Sequence, residues 1–300
     1  MPERGSVVTV GTFDGIHLGH REILRRVREI AAGEGLVPVV VTFRPHPLAV
    51  VNPSAAPMLL TPDDEQLEAL AESGPIEIEV MAFTPDLARH SAEDFVREIL
   101  IGRFHVRALV IGYDHGLGRG RQGDATALKR MGDELGFDVH VVPAALDAAG
   151  APISSSSIRT FIAHGDLERA RGALGRPYSF SGTVVPGEQR GRGLGYPTLN
   201  VDLVSERKLL PPDGVYAVRA RTARGAFGGM MNLGGRPTFG DERRTLEVHL
   251  FEASGDWYGE RVSVDFVRRL RDTMRFSSPE ALVAQLAEDA ANARLALTQA

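Results

Sequence analysis

The 300-residue chain contains no cysteine, which excludes disulfides and thiolate metal sites as sources of stability or chemistry. Lysine is almost as scarce: Lys129 and Lys208 are the only two. No G-x-x-x-x-G-K-[ST] loop occurs, so any use of ATP proceeds without a P-loop lysine. No apolar run approaches the ~20 residues needed to cross a bilayer, and the first six residues lead into an expected strand without a signal-peptide core. The expected compartment is therefore the cytoplasm, with no membrane partner. A formal net charge of -5 gives no positive excess for a broad nucleic-acid surface. Internal repeats and low-complexity tails are missing too. What remains, 43% hydrophobic and 24% charged, is the composition of a globular chain long enough for two separate cores.

The most informative stretch is VVTVGTFDGIHLGH, residues 7–20. A β-branched apolar run breaks at Gly11, turns through Asp14 and Gly15, and continues into a segment whose apolar spacing suits a helix. His17 and His20 lie three apart at the opening of that helix, near its unpaired N–H groups, where a phosphate chain is readily held. Gly11, Gly15 and Gly19 carry no Cβ and allow a ligand to approach the backbone.

Further on, LVPVVVTF (36–43) reads as a buried parallel strand stopped by RPHP (44–47). TPDDE (61–65) signals a helix start, with threonine as the cap and proline at N1. Strands at 76–81, 108–111 and 137–142 alternate with helices at 91–101 and 125–135. This alternation predicts a doubly wound, mostly parallel α/β sheet, with the H-x-G-H turn, the 44–47 loop and the 112–114 turn all at the carboxyl rim where such sheets bind ligands. ISSSSIR (153–159) then offers hydroxyls and Arg159 before an expected helix at 160–164, a pairing suited to pyrophosphate.

The pattern changes at about residue 175. Short β segments are expected at 178–185, 214–221, 225–232, 245–251 and 261–266, which favours a small closed barrel or a sandwich. SSPE (277–280) opens a final helix whose stripe of Leu282, Leu286, Ala290, Ala293 and Leu297 suits packing on that β domain. RGRGLGYPTLN (190–200) is a glycine-rich loop, and Thr198 and Asn200 stand two apart on an extended segment. That puts two oxygen ligands on one face, as Mg²⁺ prefers.

The string GTFDGIHLGH (11–20) resembles the signature of the HxGH nucleotidyltransferases in the form used by bacterial FAD synthetases, and ISSSSIR resembles the I-S-S-T-x-I-R segment of the same family. RPHP fits the family's flavin loop. In the second half, GRGLGYPTLN resembles the flavokinase pattern G-R-x-L-G-[FY]-P-T-A-N, departing at Leu199; PPDGVY (211–216), NLGGRPTF (232–239) and LEVHL (246–250) follow in that family's order. The resemblance implies an adenylyltransferase domain over 1–176 and a β-barrel kinase domain with a terminal helix over 177–300, using Mg²⁺ and ATP, riboflavin and FMN as substrates, and FAD as product.

It further implies His17, His20, Arg159 and Glu247 as catalytic residues. Gly11, Phe13, Asp14, Gly19, Ser154, Ser155, Ser156, Gly193, Gly195, Thr198 and Asn200 would meet ATP, the last pair also the metal. Phe43, Pro45, His46, Pro47, Asp114 and Arg236 would meet the flavin. GYDHGLGRGR (112–121) departs from the family's D-F-x-F-G: Asp114 and Gly118 remain, whereas His115 and Leu117 replace the phenylalanines. A kinase with one surviving activity and an idle flavin-binding protein stand as alternative readings. Strand alternation alone puts Val248 inward and Glu247 outward or at a barrel mouth.

Overall fold

The computed structural model describes residues 5–62, 64–187, 195–235 and 244–299. The chain divides into two compact units, Met1–Ser155 and Ser156–Ala300.

The first unit is built on β1 (Ser6–Val10), β2 (Val37–Arg44), β3 (Glu77–Ala82), β4 (Val106–Gly112) and β5 (Asp138–Val142), in the order β3-β2-β1-β4-β5. All four pairings are parallel. Strand β1 is buried throughout and β4 at every position but Arg107 and Gly112, and both are mainly apolar, as a central parallel strand requires. The chain leaves β1 toward β2 on one side, whereas β4 flanks β1 on the other. The switch point thus lies beyond the carboxyl ends of β1 and β4. The helices are α1 (Leu18–Glu34), α2 (Pro47–Val51), α3 (Asp64–Ala71), α4 (Pro85–Arg89), α5 (Ala92–Asp94) and α6 (Ala125–Leu135). The helix expected over 91–101 begins in a Ser91–Asp94 capping box and runs on from α5 as π-helical turns through Phe95–Ile101. One core joins Val8, Val41, Phe95, Leu100 and Leu109, and it also contains Leu117. The α3 helix starts at Asp64, three residues past the threonine expected to cap it.

Helix α7 (Ser155–Ala163) starts earlier than expected, so the serines form its first turn rather than a lead-in; α8 (Leu167–Leu174) follows and packs on the strand Arg261–Arg271. The second unit is a closed antiparallel barrel, with no sandwich. Its strands are β6 (Ser179–Val185), β7 (Leu199–Leu203), β8 (Gly214–Thr222), β9 (Gly225–Gly235), β10 (Arg244–Leu250) and β11 (Arg261–Arg271), in the order β10-β7-β6-β11-β8-β9. Strand β11 runs five residues beyond its expected end, through Arg268, Arg269 and Arg271, with register shifts on each side of Arg269. The terminal helix α9 (Pro279–Thr298) buries Ala293 and Ala296 against Ala217, Met230 and Phe251. Its Asp289, 1% exposed, receives the guanidinium of Arg271 at 2.7–3.1 Å.

Candidate active sites

At the carboxyl end of β1 the chain makes a turn of unusual backbone. Phe13 (φ 47°) and Ile16 (φ 39°) occupy the left-handed region alongside Gly15 (φ 90°), a conformation that costs free energy for side-chain-bearing residues and concentrates at functional sites. The turn delivers His17 to the N-cap of α1, where its Nδ1 accepts the His20 N–H at 3.3 Å. With Nδ1 accepting, the proton of a neutral ring sits on Nε2. The two imidazoles stack with centroids 3.7 Å apart, and Phe13 tilts against His20 at 5.0 Å. Gly19 permits this approach, since a Cβ there would stand 3.2 Å from two atoms of the His17 ring.

Burial pushes the His17 pKa down to about 4, against the opposing pull of the Asp114 and Asp14 carboxylates. His20 is held well below its ordinary value by burial and by His17. The pair is therefore neutral at pH 7, so what it can offer an anion is N–H donors rather than two positive charges. Among the described residues His20 Nδ1 has no hydrogen-bond partner.

The other segments converge on the same rim in part. Asp114, on the turn after β4, lies close enough to His17 to raise its pKa. Ser155 Oγ donates to the Asp14 carbonyl at 2.8 Å, joining the serine run to the H-x-G-H turn. Arg159 is half-buried in the next turn of α7, Ser156 is exposed, and Ser154 precedes the helix. Phe43, half-buried, meets Phe83 edge-on at 5.4 Å; the Arg44–Pro45 bond is cis. His46 caps α2, accepting the Leu48 N–H at 3.2 Å, with Pro47 at N1.

Two residues expected at the nucleotide face inward instead. Phe13 is 2% exposed and belongs to a core with Leu24, Val40 and Leu70, its ring under Gly11. The Asp14 carboxylate accepts the backbone N–H groups of Leu60 and Thr61, both at 2.9 Å. At these two positions the side chains shape the turn, and only backbone remains to offer a ligand. Leu117, which stands where the family has a phenylalanine, fills the core with its side chain, and its N–H and carbonyl pair with Gly123 at 3.0 and 2.9 Å.

In the barrel, Glu247 of β10 stands opposite Asn200 of β7 on one side and Asn232 of β9 on the other. Residues in direct register share a face, so the carboxylate lies between two amides. Val248 is fully buried and Glu247 half-exposed, as alternation requires. Thr198 immediately precedes β7. Gly187, just past β6, presses its backbone on Asn200: a Cβ there would fall 1.9 Å from Asn200 Nδ2. His249 Nδ1 bonds the Pro197 carbonyl at 2.8 Å and its ring meets Tyr196 at 5.3 Å, fixing the segment that leads through Thr198 into β7. Gly195, in the left-handed region, precedes this strand, whereas Gly193 and Arg236 lie outside the described residues.

Asn232 and Gly187 were not among the expected site residues. Asn232 does open the NLGGRPTF string, but its place beside Glu247 depends on strand register, which no local signal carries.

A parallel sheet with paired histidines at its switch point defines a nucleotidyltransferase-type domain, and the barrel's amide–carboxylate row is a second polar site. The description "FAD synthetase" matches residues 1–157 and "Riboflavin kinase" matches residues 174–297. A bifunctional riboflavin kinase/FMN adenylyltransferase of Escherichia coli K12 is 37% identical over 294 residues, covering 98% of this chain and 93% of the relative. The Bacillus subtilis protein of the same description is 34% identical, covering 95% and 90%. A solved structure from Streptococcus pneumoniae, described as a macrolide-efflux protein, superposes with a TM-score of 0.87 at 34% identity, covering 96% and 93%. Among the described residues no helix is long and apolar enough to cross a membrane. The chain belongs to the bifunctional riboflavin kinase/FMN adenylyltransferase family, the bacterial FAD synthetases.

Proposed function

We infer that this chain phosphorylates riboflavin to FMN with ATP and adenylates FMN to FAD with release of pyrophosphate. The observation that carries this reading is the presence of two polar constellations of different chemistry in separate compact units, each within its matching family segment. The proposed division of labour follows residues 1–176 and 177–300.

In the kinase reaction a ribityl hydroxyl forms a bond to the γ-phosphorus of ATP as the bridging oxygen leaves with ADP. An alcohol is a poor nucleophile at neutral pH, so a positioned base is needed, and Glu247 has the carboxylate for it. Thr198 and Asn200 would hold Mg²⁺; hard oxygen ligands few in number suit an ion that keeps waters and phosphate oxygens in its shell, and the close fit of Gly187 on Asn200 holds that amide in place. The ion supplies neutralisation of phosphate charge.

In the adenylyl transfer an FMN phosphate oxygen bonds to the α-phosphorus as pyrophosphate departs. The second pKa of a phosphate monoester, about 6, leaves this nucleophile ionised at pH 7, so no base is required. Stabilising charge at the α-phosphate is the remaining task. His17 and His20 serve it as N–H donors, with backbone amides at the start of α1. Arg159 provides a permanent cation for pyrophosphate. Phe43 and the 45–47 loop, with Asp114, are the proposed flavin contacts. The proposed setting is the cytoplasm, with small molecules as partners.

Incubation with riboflavin, Mg²⁺ and ATP, followed by chromatography, tests the reading: FAD is expected, FMN alone would reduce the chain to a kinase, and no turnover, either there or with FMN supplied in place of riboflavin, would refute both activities. His20→Ala should abolish FAD formation while sparing FMN formation. Asn200→Ala or Glu247→Ala should do the reverse when FMN is supplied. Loss of both activities from either change in a folded protein would rule out independent sites.

A further inference from the structure

The turn that presents His17 has little internal support. Its one backbone hydrogen bond between Thr12 and Ile16 is Ile16 N–H to Phe13 carbonyl, at 3.4 Å. The polar groups that fix it come from elsewhere, and most come from one short segment. Gly15 N–H donates to Thr61 Oγ1 at 2.8 Å, and Leu60 N–H and Thr61 N–H hold the Asp14 carboxylate. Gln66 Nε2 donates to the Thr12 carbonyl and, at 3.2 Å, to Thr42 Oγ1, which itself donates to the Thr12 carbonyl at 3.3 Å. Thr61 and Gln66 are 7% and 6% exposed. Buried polar side chains need partners, and here those partners include the Thr12 carbonyl and the Gly15 N–H, at the two ends of a turn that holds two non-glycine residues at positive φ.

We propose that Thr61 and Gln66 are positioning residues for adenylyl transfer: clamping Thr12 and Gly15, they keep the turn in the conformation that sets His17 at the N-cap of α1 and stacks it on His20. Neither side chain touches a reacting atom. The inference rests on the assignment of His17 and His20 to adenylyl transfer. Without the Thr61 hydroxyl, the turn loses the bond that ties the Gly15 N–H to the 60–66 segment, and the left-handed residues on either side are held less firmly. A shift of about 1 Å at His17 is enough to cost on the order of 100-fold in rate.

The test compares full-length Thr61→Val, Thr61→Ser and Gln66→Leu, with His20→Ala in parallel, each assayed for FMN adenylylation and riboflavin phosphorylation in one preparation below its thermal transition. Thr61→Val is expected to lower the adenylylation kcat by about 30-fold or more, with the FMN KM within about two-fold. The kinase rate should be unchanged, and Thr61→Ser, which keeps the hydroxyl, should recover to within about three-fold of wild type. Gln66→Leu should lower the same kcat, and it decides the question if Thr61→Val leaves the first unit unfolded by circular dichroism. Full adenylylation in folded Thr61→Val or Gln66→Leu overturns the proposal, as does equal loss in Thr61→Val and Thr61→Ser. Persistent FAD formation by His20→Ala would instead overturn the histidine assignment, whatever the Thr61 variants do.

Discussion

Replacing Gly187 by alanine asks how closely the kinase site is fitted. The new Cβ would lie 1.9 Å from Asn200 Nδ2, 2.3 Å from Cγ and 2.7 Å from Oδ1. Ordinary carbon contacts begin near 3.5 Å, so the amide must move by roughly 1.5 Å. The three nearest atoms struck all belong to the end of a side chain, so rotation of Asn200 can relieve the clash while the strands stay in place. The expected structural cost is that of an off-rotamer side chain, about 0.5–1.5 kcal/mol. The functional cost is larger, because the displaced amide is a proposed Mg²⁺ ligand beside Glu247. A misplacement of about 1 Å can cost on the order of 100-fold in rate, or about 2.7 kcal/mol of transition-state stabilisation. Gly187→Ala should therefore lower riboflavin phosphorylation by roughly that factor. It should also shift the reaction to higher Mg²⁺, lower the thermal midpoint by only a few degrees, and leave FMN adenylylation unchanged. Phosphorylation within about three-fold of wild type at unchanged Mg²⁺ dependence would refute the reasoning.

The buried ion pair between β11 and α9 makes a stability prediction: Asp289→Asn removes the partner of Arg271, and breaking such a pair costs about 3–5 kcal/mol, toward the lower end here because the Arg271 side chain is 18% exposed. Urea unfolding of the full chain should show that loss in the barrel transition; a change below about 1 kcal/mol would mean that α9 is held by its apolar contacts alone. The histidine turn makes a pH prediction. The His17 pKa is depressed from 6.5 to about 4 in the folded protein, so as pH falls through 6.5 the unfolded chain takes up a proton that the native site refuses. Stability is lost progressively from about pH 6.5 to pH 4, by an amount on the order of 3 kcal/mol for this one group. His20 and His115 act in the same direction, since burial depresses both. Comparing unfolding free energies at pH 7 and pH 5 for wild type and His17→Asn isolates the contribution; parallel pH dependences would contradict it.

The fold was legible wherever one element carries its own signal. Continuous apolar runs such as residues 36–43 announce buried parallel strands, and SSPE announces α9. The end of β11 was hidden because Arg268, Arg269 and Arg271 read as a polar run that should stop a strand. In the structure their charges are placed: Arg271 on Asp289, Arg269 on the Asp213 carbonyl at 2.6 Å, and Arg268 on Gln299 at 3.2 Å. The site residues were legible as members of strings, and their relations were not. Glu247 could be named from LEVHL, but its placement between Asn200 and Asn232 is a matter of register across three strands separated by up to 47 residues of chain. The fit of Gly187 on Asn200 depends on a further pairing, of β6 with β7, which sets Val185 opposite Asn200.

Thr61 shows why a correct local rule can miss the use of a residue. Threonine before proline and two acids is a sound helix-start signal, and a helix does start there, at Asp64. The hydroxyl nevertheless accepts the N–H of Gly15, 46 residues earlier, and the backbone N–H beside it holds Asp14. The same logic bears on the departures at 112–121. A leucine in place of an aromatic looks like a damaged flavin wall only if that side chain faces the ligand, and Leu117 faces the core. The departure that reaches the rim is His115: its neighbour Asp114 acts on His17, and its own pKa is pushed down to about 4 by burial and by Arg121. At pH 7 it is an uncharged planar ring, as the phenylalanine it replaces would be, but a polar one with two nitrogens, of which Nε2 is buried and has no partner among the described residues.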